Sequence, residues 1–223
     1  MSIVVKRISA PKTANTSLIF LHGLGDTANG WSFLEEQLHQ LPSFQHINLV
    51  LPTAPTRMIS GFGERTTAWF DLHHMGIKVG QGCDGILDTV ATVERLINEE
   101  KSKGIERIII GGFSQGAAAS ISCAVALKQK VSAIIAIAGF WVEGPDNVAA
   151  ADSGLNKNTP ILMMHGESDG VVPLEAGKKA CEKLKQLGFG SVDFSSYRGL
   201  DHSVNPAELR RLMEFIQNIS PSP

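Results

Sequence analysis

The chain has 223 residues, 43% of them hydrophobic and 19% charged, with a formal net charge of -2. That length suits one domain with a sizeable core, and the composition is globular rather than disordered or membrane-spanning. With little net charge and no long run of one sign, there is no basic footprint for nucleic acid and no polybasic membrane patch.

In chain order, a strand near Ile3 to Ile8 is expected to pair at a sheet edge, followed by a strand from Ser17 to Leu21. Ser32 with Glu35 reads as a capping box ahead of Leu38 and Leu41. A strand from Ile47 to Leu51 leads into Pro52 to Gly82, which fits no regular element. That stretch is rich in Gly and Pro and carries Met58, Ile59, Phe62, Trp69 and Phe70. Asp84 opens a helix with Ile86, Val90, Val93 and Ile97 on one face, and Gly104 closes it. The strand Arg107 to Gly111 is followed by a helix from Gln115 to about Lys128 and a strand from Val131 to Ile137. A second irregular stretch, Gly139 to Asn158, precedes the strand Pro160 to Met164. Pro173 starts a helix that runs to Gly188, Val192 to Tyr197 is the last strand, and Pro206 starts the last helix.

Continuous apolar runs such as Ile108-Ile109-Ile110 suit parallel strands buried on both faces. Strand-helix alternation implies an α/β fold: a mostly parallel central sheet with helices on both faces. Right-handed crossovers gather the loops after the strands along one edge, where ligands bind. Both irregular stretches follow strands, so both belong to that edge. Their large apolar residues favour a functional role over disorder.

Nothing in Met1 to Pro11 resembles a secretory signal, and no run approaches the roughly 18 apolar residues of a membrane helix. Ser2 excludes N-myristoylation, and the Ser220-Pro221-Ser222-Pro223 ending carries no prenylation signal. Cys83, Cys123 and Cys181 lack metal-ligand spacing, and the last two read as small core residues. The expectation is a single soluble, cytoplasmic domain over residues 1–223 without a disulfide framework.

The strongest chemical signal is Gly112-Phe113-Ser114-Gln115-Gly116, placed between a strand and a helix. That is the context of a nucleophile elbow, in which a sharp turn lifts the serine hydroxyl out of the sheet edge. A hydroxyl is a weak nucleophile at neutral pH and needs a base. Of seven histidines, His39 and His46 read as surface residues, and His22 and His165 sit at strand ends before glycine. Only His165 and His202 follow Ser114, and the order serine, acid, histidine favours His202. The acid belongs in the loop after Ile161 to Met164. Asp169 is preferred, with Glu167 as its rival. Asp201 is adjacent to His202, and neighbours in sequence rarely aim at one another. The acid fixes the tautomer of the histidine and stabilises its imidazolium.

An oxyanion hole needs two fixed N–H donors. Gln115, after the nucleophile, supplies one. Leu24, between Gly23 and Gly25 after an early strand, supplies the other. His73 and His74 are adjacent in a loop, where side chains rarely chelate together, so no metal is expected. No flavin or nicotinamide motif is present, so no cofactor is expected. Trp69, Phe70, Phe62 and Ile59 are candidate substrate-binding residues, although Trp69 and Phe70 could equally pack the loop.

Leu21-His22-Gly23-Leu24-Gly25-Asp26, Ala68-Trp69-Phe70-Asp71, Gly111 to Gly116, His165-Gly166 with Asp169 and Val172-Pro173, and His202-Ser203 occur in one order along the chain. Together they resemble acyl-protein thioesterases of the phospholipase/carboxylesterase family, over nearly the whole chain. The resemblance implies an α/β-hydrolase without a separate lid domain that removes S-linked palmitoyl groups from proteins. It implies a Ser114–Asp169–His202 triad with Leu24 and Gln115 at the oxyanion. It also implies activity on lysophospholipids and short esters. Separately, the Met, Ile and Phe residues of the loops are expected to give at most transient membrane-surface contact and a monomer or weak homodimer. Leu200 departs from the methionine common before the histidine. The segment between Asp71 and Asp84, which shapes the acyl channel in relatives, is short and glycine-rich. A broad short-chain carboxylesterase is the alternative enzyme, and a lipid-binding protein without catalysis the alternative class.

Overall fold

The computed structural model describes residues 3–221. In chain order its elements are β1 (Val5–Ile8), β2 (Thr16–Leu21), α1 (Leu34–His39), β3 (Ile47–Pro52), β4 (Thr56–Ile59), β5 (Glu64–Thr67), α2 (Ile86–Ser102), β6 (Arg107–Phe113), α3 (Gln115–Ala126), β7 (Ala133–Ile137), β8 (Ile161–Gly166), α4 (Leu174–Gln186), β9 (Val192–Tyr197) and α5 (Pro206–Ile219). Seven strands form one sheet in the order β1-β3-β2-β6-β7-β8-β9. Edge strand β1 runs antiparallel to β3, and every other pair in that sheet is parallel.

The apolar runs divide between two cores because successive side chains point to opposite faces. Ile108 and Ile110 pack on one face with Val93 and Ile97 of α2 and the alanines of α3. Ile109 points the other way, toward Leu34 and Leu38 of α1 and Leu212 and Ile216 of α5. All twelve residues of α3 are buried, which only small side chains such as Ala117, Ala118 and Ala119 allow so close to the sheet. Among the described residues, no helix is long and apolar enough to cross a membrane. The three cysteines are free and buried.

Several local expectations need correction. Ser32 and Glu35 do not form a capping box. The Ser32 hydroxyl bonds back to the Ala28 carbonyl (3.2 Å) and receives the Lys6 ammonium (2.7 Å), so α1 begins only at Leu34 and ends before Leu41. Asp84 does not cap α2. Gly85 turns the chain at φ 84°, and Asp146 accepts the N–H of Gly85 (2.9 Å) and of Leu87 (3.5 Å). A cap drawn from 61 residues away leaves no local signature. The stretch Pro52 to Gly82 contains a hairpin, β4 paired antiparallel to β5, whose strands mix charged and apolar residues without clean alternation. His46 is buried and bonds to the Ser220 hydroxyl (2.8 Å) rather than lying at the surface.

Candidate active site

Strand β6 ends at Phe113 and α3 begins at Gln115, so Ser114 alone makes the turn. It holds φ 54° and ψ -117°, a positive φ that residues with side chains seldom adopt. Its flanking glycines are required by sterics. A Cβ on Gly112 would stand 2.3 Å from the Gly116 carbonyl group, and one on Gly116 would stand 2.1 Å from the Leu21 oxygen.

The loops after β8 and β9 converge on this turn. His202 Nε2 lies 2.9 Å from Ser114 Oγ, and His202 Nδ1 lies 2.7 Å from Asp169 Oδ2. The Asp169 carboxylate is fully buried. Its Oδ1 accepts the backbone N–H of Val171 (2.9 Å) and Val172 (2.8 Å), which fixes the carboxylate and leaves Oδ2 to face His202. The rival acids are occupied elsewhere. Glu167 accepts the Ser196 hydroxyl (2.7 Å), and Asp201 accepts the hydroxyl of Ser203.

His165 braces the acid loop from below. It is buried, its Nε2 donates to the Val172 carbonyl (2.8 Å), and it stands 3.6 Å from Asp169 Oδ2. Burial lowers its pKa, so the imidazole stays neutral. Gly177 makes room for it, since a Cβ there would lie 2.4 Å from His165 Nδ1.

His22 organises the loop after β2. Its Nε2 accepts the Ala54 N–H (3.0 Å), which places the proton on Nδ1 for donation to the Gly23 carbonyl (2.6 Å). Burial lowers this pKa as well. Gly25 N–H is held by the Thr67 carbonyl (2.8 Å) and Asp26 N–H by Gly23 (3.2 Å). Between them, the Leu24 N–H finds no acceptor among the described residues, and neither does the Gln115 N–H. Leu24 and Gln115 border the same cleft as Ser114 and His202.

That cleft has a volume of about 250 Å³, with apolar walls that include Leu72, Met75, Val79, Phe140, Val171 and Val172. A groove of about 380 Å³ adjoins it through the shared walls Val79 and Phe140 and continues past Ile77, Trp141 and Ala176. Both irregular stretches thus reach the site, through wall residues that the sequence did not single out. Trp69, Phe70 and Ile59 do not border the cleft; they are buried in the core, at 1%, 0% and 0% exposure. Trp69 Nε1 donates to the His22 carbonyl (2.8 Å), and Gln115 bridges Trp69 N–H and the Phe70 carbonyl. These aromatics therefore brace the two donor loops. Phe62 is exposed in the turn between β4 and β5, also away from the cleft.

A largely parallel sheet that presents a serine on a strand-to-helix turn at its carboxyl edge is the arrangement of the α/β-hydrolases. Comparison with known sequences narrows the class: the chain belongs to the phospholipase/carboxylesterase family, which it matches over residues 4–220. It is accordingly an ester hydrolase. Acyl-protein thioesterase 1 of Saccharomyces cerevisiae is 38% identical over 211 residues, 92% of each chain. The protein of the same name from Yarrowia lipolytica is 33% identical over 216 residues, 95% of each chain. Among solved structures, Zea mays acyl-protein thioesterase 2 is 28% identical with a TM-score of 0.83, covering 97% of this chain and 98% of that one. Arabidopsis thaliana SOBER1 is 26% identical with a TM-score of 0.85, covering 92% and 99% respectively.

Proposed function

We propose that this hydrolase removes long acyl groups from S-acylated proteins, with Ser114 as nucleophile, His202 as general base and Asp169 as the residue that orients the imidazole. The observation that carries the reading is the pair of short hydrogen bonds from Asp169 through His202 to Ser114. Ser114 attacks the thioester carbonyl as His202 takes its proton. The Leu24 and Gln115 N–H groups receive the oxyanion, each worth about 3 kcal/mol of barrier in comparable sites. The thiol leaves with the proton from His202, and water activated by the same imidazole then frees the fatty acid.

The long acyl group is supported by the groove that continues the cleft and by the names of the curated relatives. Exposed Met75, Ile77 and Val171 at the rim fit transient contact with a membrane surface that presents the acylated protein. A cytoplasmic setting belongs to the same proposal. The test is release of free thiol from a palmitoylated cysteine peptide, with a nitrophenyl butyrate control. Wild type should hydrolyse both, and Ser114→Ala should hydrolyse neither and lose labelling by a fluorophosphonate. Wild type active on butyrate alone would reduce the reading to a short-chain carboxylesterase. Equal labelling of both proteins would overturn the assignment of the nucleophile.

A further inference from the structure

Outside the catalytic cleft, three ligating side chains meet at the neck of one loop. Asp71 and Asp84 form an antiparallel bridge, with Asp71 N–H on the Asp84 carbonyl (2.8 Å) and Asp84 N–H on the Asp71 carbonyl (3.3 Å). His73 stands between their carboxylates, its Nε2 3.3 Å from Asp71 Oδ2 and 3.2 Å from Asp84 Oδ2. One ligand atom from each of the three lies within 4.8 Å of the others. Ser60 orients Asp71, donating its N–H to Oδ1 (2.7 Å) and its hydroxyl to Oδ2 (2.5 Å). The imidazole lies against Gly82, where a Cβ would stand 3.1 Å from Nδ1.

We propose that Asp71, His73 and Asp84 form a binding site for a divalent transition-metal ion of the zinc type. Two features separate this from a histidine paired with two acids. Charge-assisted N–H···O bonds run to about 2.7–2.9 Å, and one Nε2 proton cannot point along both contacts. Metal-ligand distances of about 2.0–2.2 Å, by contrast, give tetrahedral ligand-ligand edges of about 3.3–3.5 Å. Both histidine contacts fall close to that edge length. The half-exposed Asp84 side chain is free to close the third edge, and water completes the tetrahedron. One imidazole with two carboxylates neutralises a divalent ion. It suits zinc better than calcium or magnesium, which take oxygen ligands. The Ser60 bonds fill the outer-shell role that fixes a ligating carboxylate.

The placement has a mechanical consequence. Asp71 and Asp84 enclose residues 72–83, the segment that supplies Leu72, Met75 and Val79 to the cleft wall. An ion held by both ends joins the two arms at the neck of that segment.

The test is calorimetric titration of the metal-free full chain with zinc chloride, alongside melting curves with and without zinc. Wild type should bind one equivalent and melt at higher temperature with zinc. Ser60→Ala should weaken binding by about tenfold, and His73→Ala and Asp84→Asn by more, each with a metal-free melting curve like that of wild type. His74→Ala should bind as wild type does. Absence of saturable binding to wild type would overturn the site. So would His73→Ala and Asp84→Asn binding that matches wild type, since the ion would then sit elsewhere. Should Asp84→Asn fail to fold, His73→Ala and Ser60→Ala decide alone. None of these readouts requires hydrolysis, so the result is independent of the catalytic proposal.

Discussion

The Phe113 ring lies 4.8 Å, centroid to centroid, from the imidazole of His202. The residue before the proposed nucleophile thus props the proposed base, and Trp31 backs it at 5.4 Å. A contact of this kind is worth about 1 kcal/mol. Phe113→Ala should therefore lower kcat about fivefold to tenfold on a short nitrophenyl ester, with KM little changed. An unaltered kcat would show that the His202 loop needs no such prop.

Ser114 holds a backbone conformation with positive φ, which costs of the order of 1–3 kcal/mol in a residue with a side chain. Glycine adopts it freely, and the loss of chain entropy on folding offsets part of the gain. Ser114→Gly should accordingly be inactive yet melt higher, by roughly 2–4 °C for each kcal/mol recovered. Scanning calorimetry of wild type, Ser114→Ala and Ser114→Gly checks this. A glycine variant less stable than the alanine variant would rule out stored strain at the elbow.

The middle of the sheet is legible because strands β2, β3, β6, β7 and β8 are buried on both faces, so runs such as Ile108-Ile109-Ile110 have no other good reading. The elbow was legible because its glycines answer local steric demands. Chain order together with placement in the loops after strands points to Asp169 and His202, and the geometry joins those two to Ser114. What escaped the sequence depends on distant contacts. Asp146 caps α2 across 61 residues, and the hairpin of β4 and β5 lacks alternation. Trp69 and Phe70 look the same whether they face a ligand or brace a loop. In sequence His73 stands beside His74, a pair that rarely chelates together. Only the bridge between Asp71 and Asp84 brings two carboxylates to it.

Glu208 is buried at the start of α5, with Oε2 on the Asn205 N–H (3.3 Å) and Oε1 without a partner among the described residues. Burial pushes its carboxyl up to about 7, against the Asn205 bond, which lowers it. Its folded pKa thus exceeds its unfolded value near 4.5. Between those values the native state holds the extra proton, so this contribution to stability is complete below the unfolded pKa. It is lost as pH rises through about 7. The loss is on the order of 3 kcal/mol at most. Glu208→Gln removes the titration and keeps an acceptor for the cap. The variant should therefore gain in melting temperature over wild type from pH 5 to pH 8. Buried His22 and His165, both lowered, act in the opposite sense and weaken the fold as pH falls below 6.5, but they do so equally in both proteins. A constant difference between variant and wild type across that range would refute the titration of Glu208.

Val79 and Phe140 wall both the cleft at Ser114 and the adjoining groove. On the proposed reading, an acyl chain that outgrows the cleft runs on into this groove, whereas a short chain ends before reaching it. Ala176 on α4 lines only the groove, and its small side chain leaves space there. Ala176→Phe should fill that space without touching the hydroxyl, the imidazole or the two free N–H groups. The kcat/KM for a palmitoyl thioester should then fall about tenfold or more, the effect of losing roughly 1.4 kcal/mol of chain binding. The value for a butyryl ester should stay within about twofold of wild type. Parallel losses on both substrates would point to a disturbed fold or site. An unchanged palmitoyl rate in a variant that folds normally would place the chain along another path.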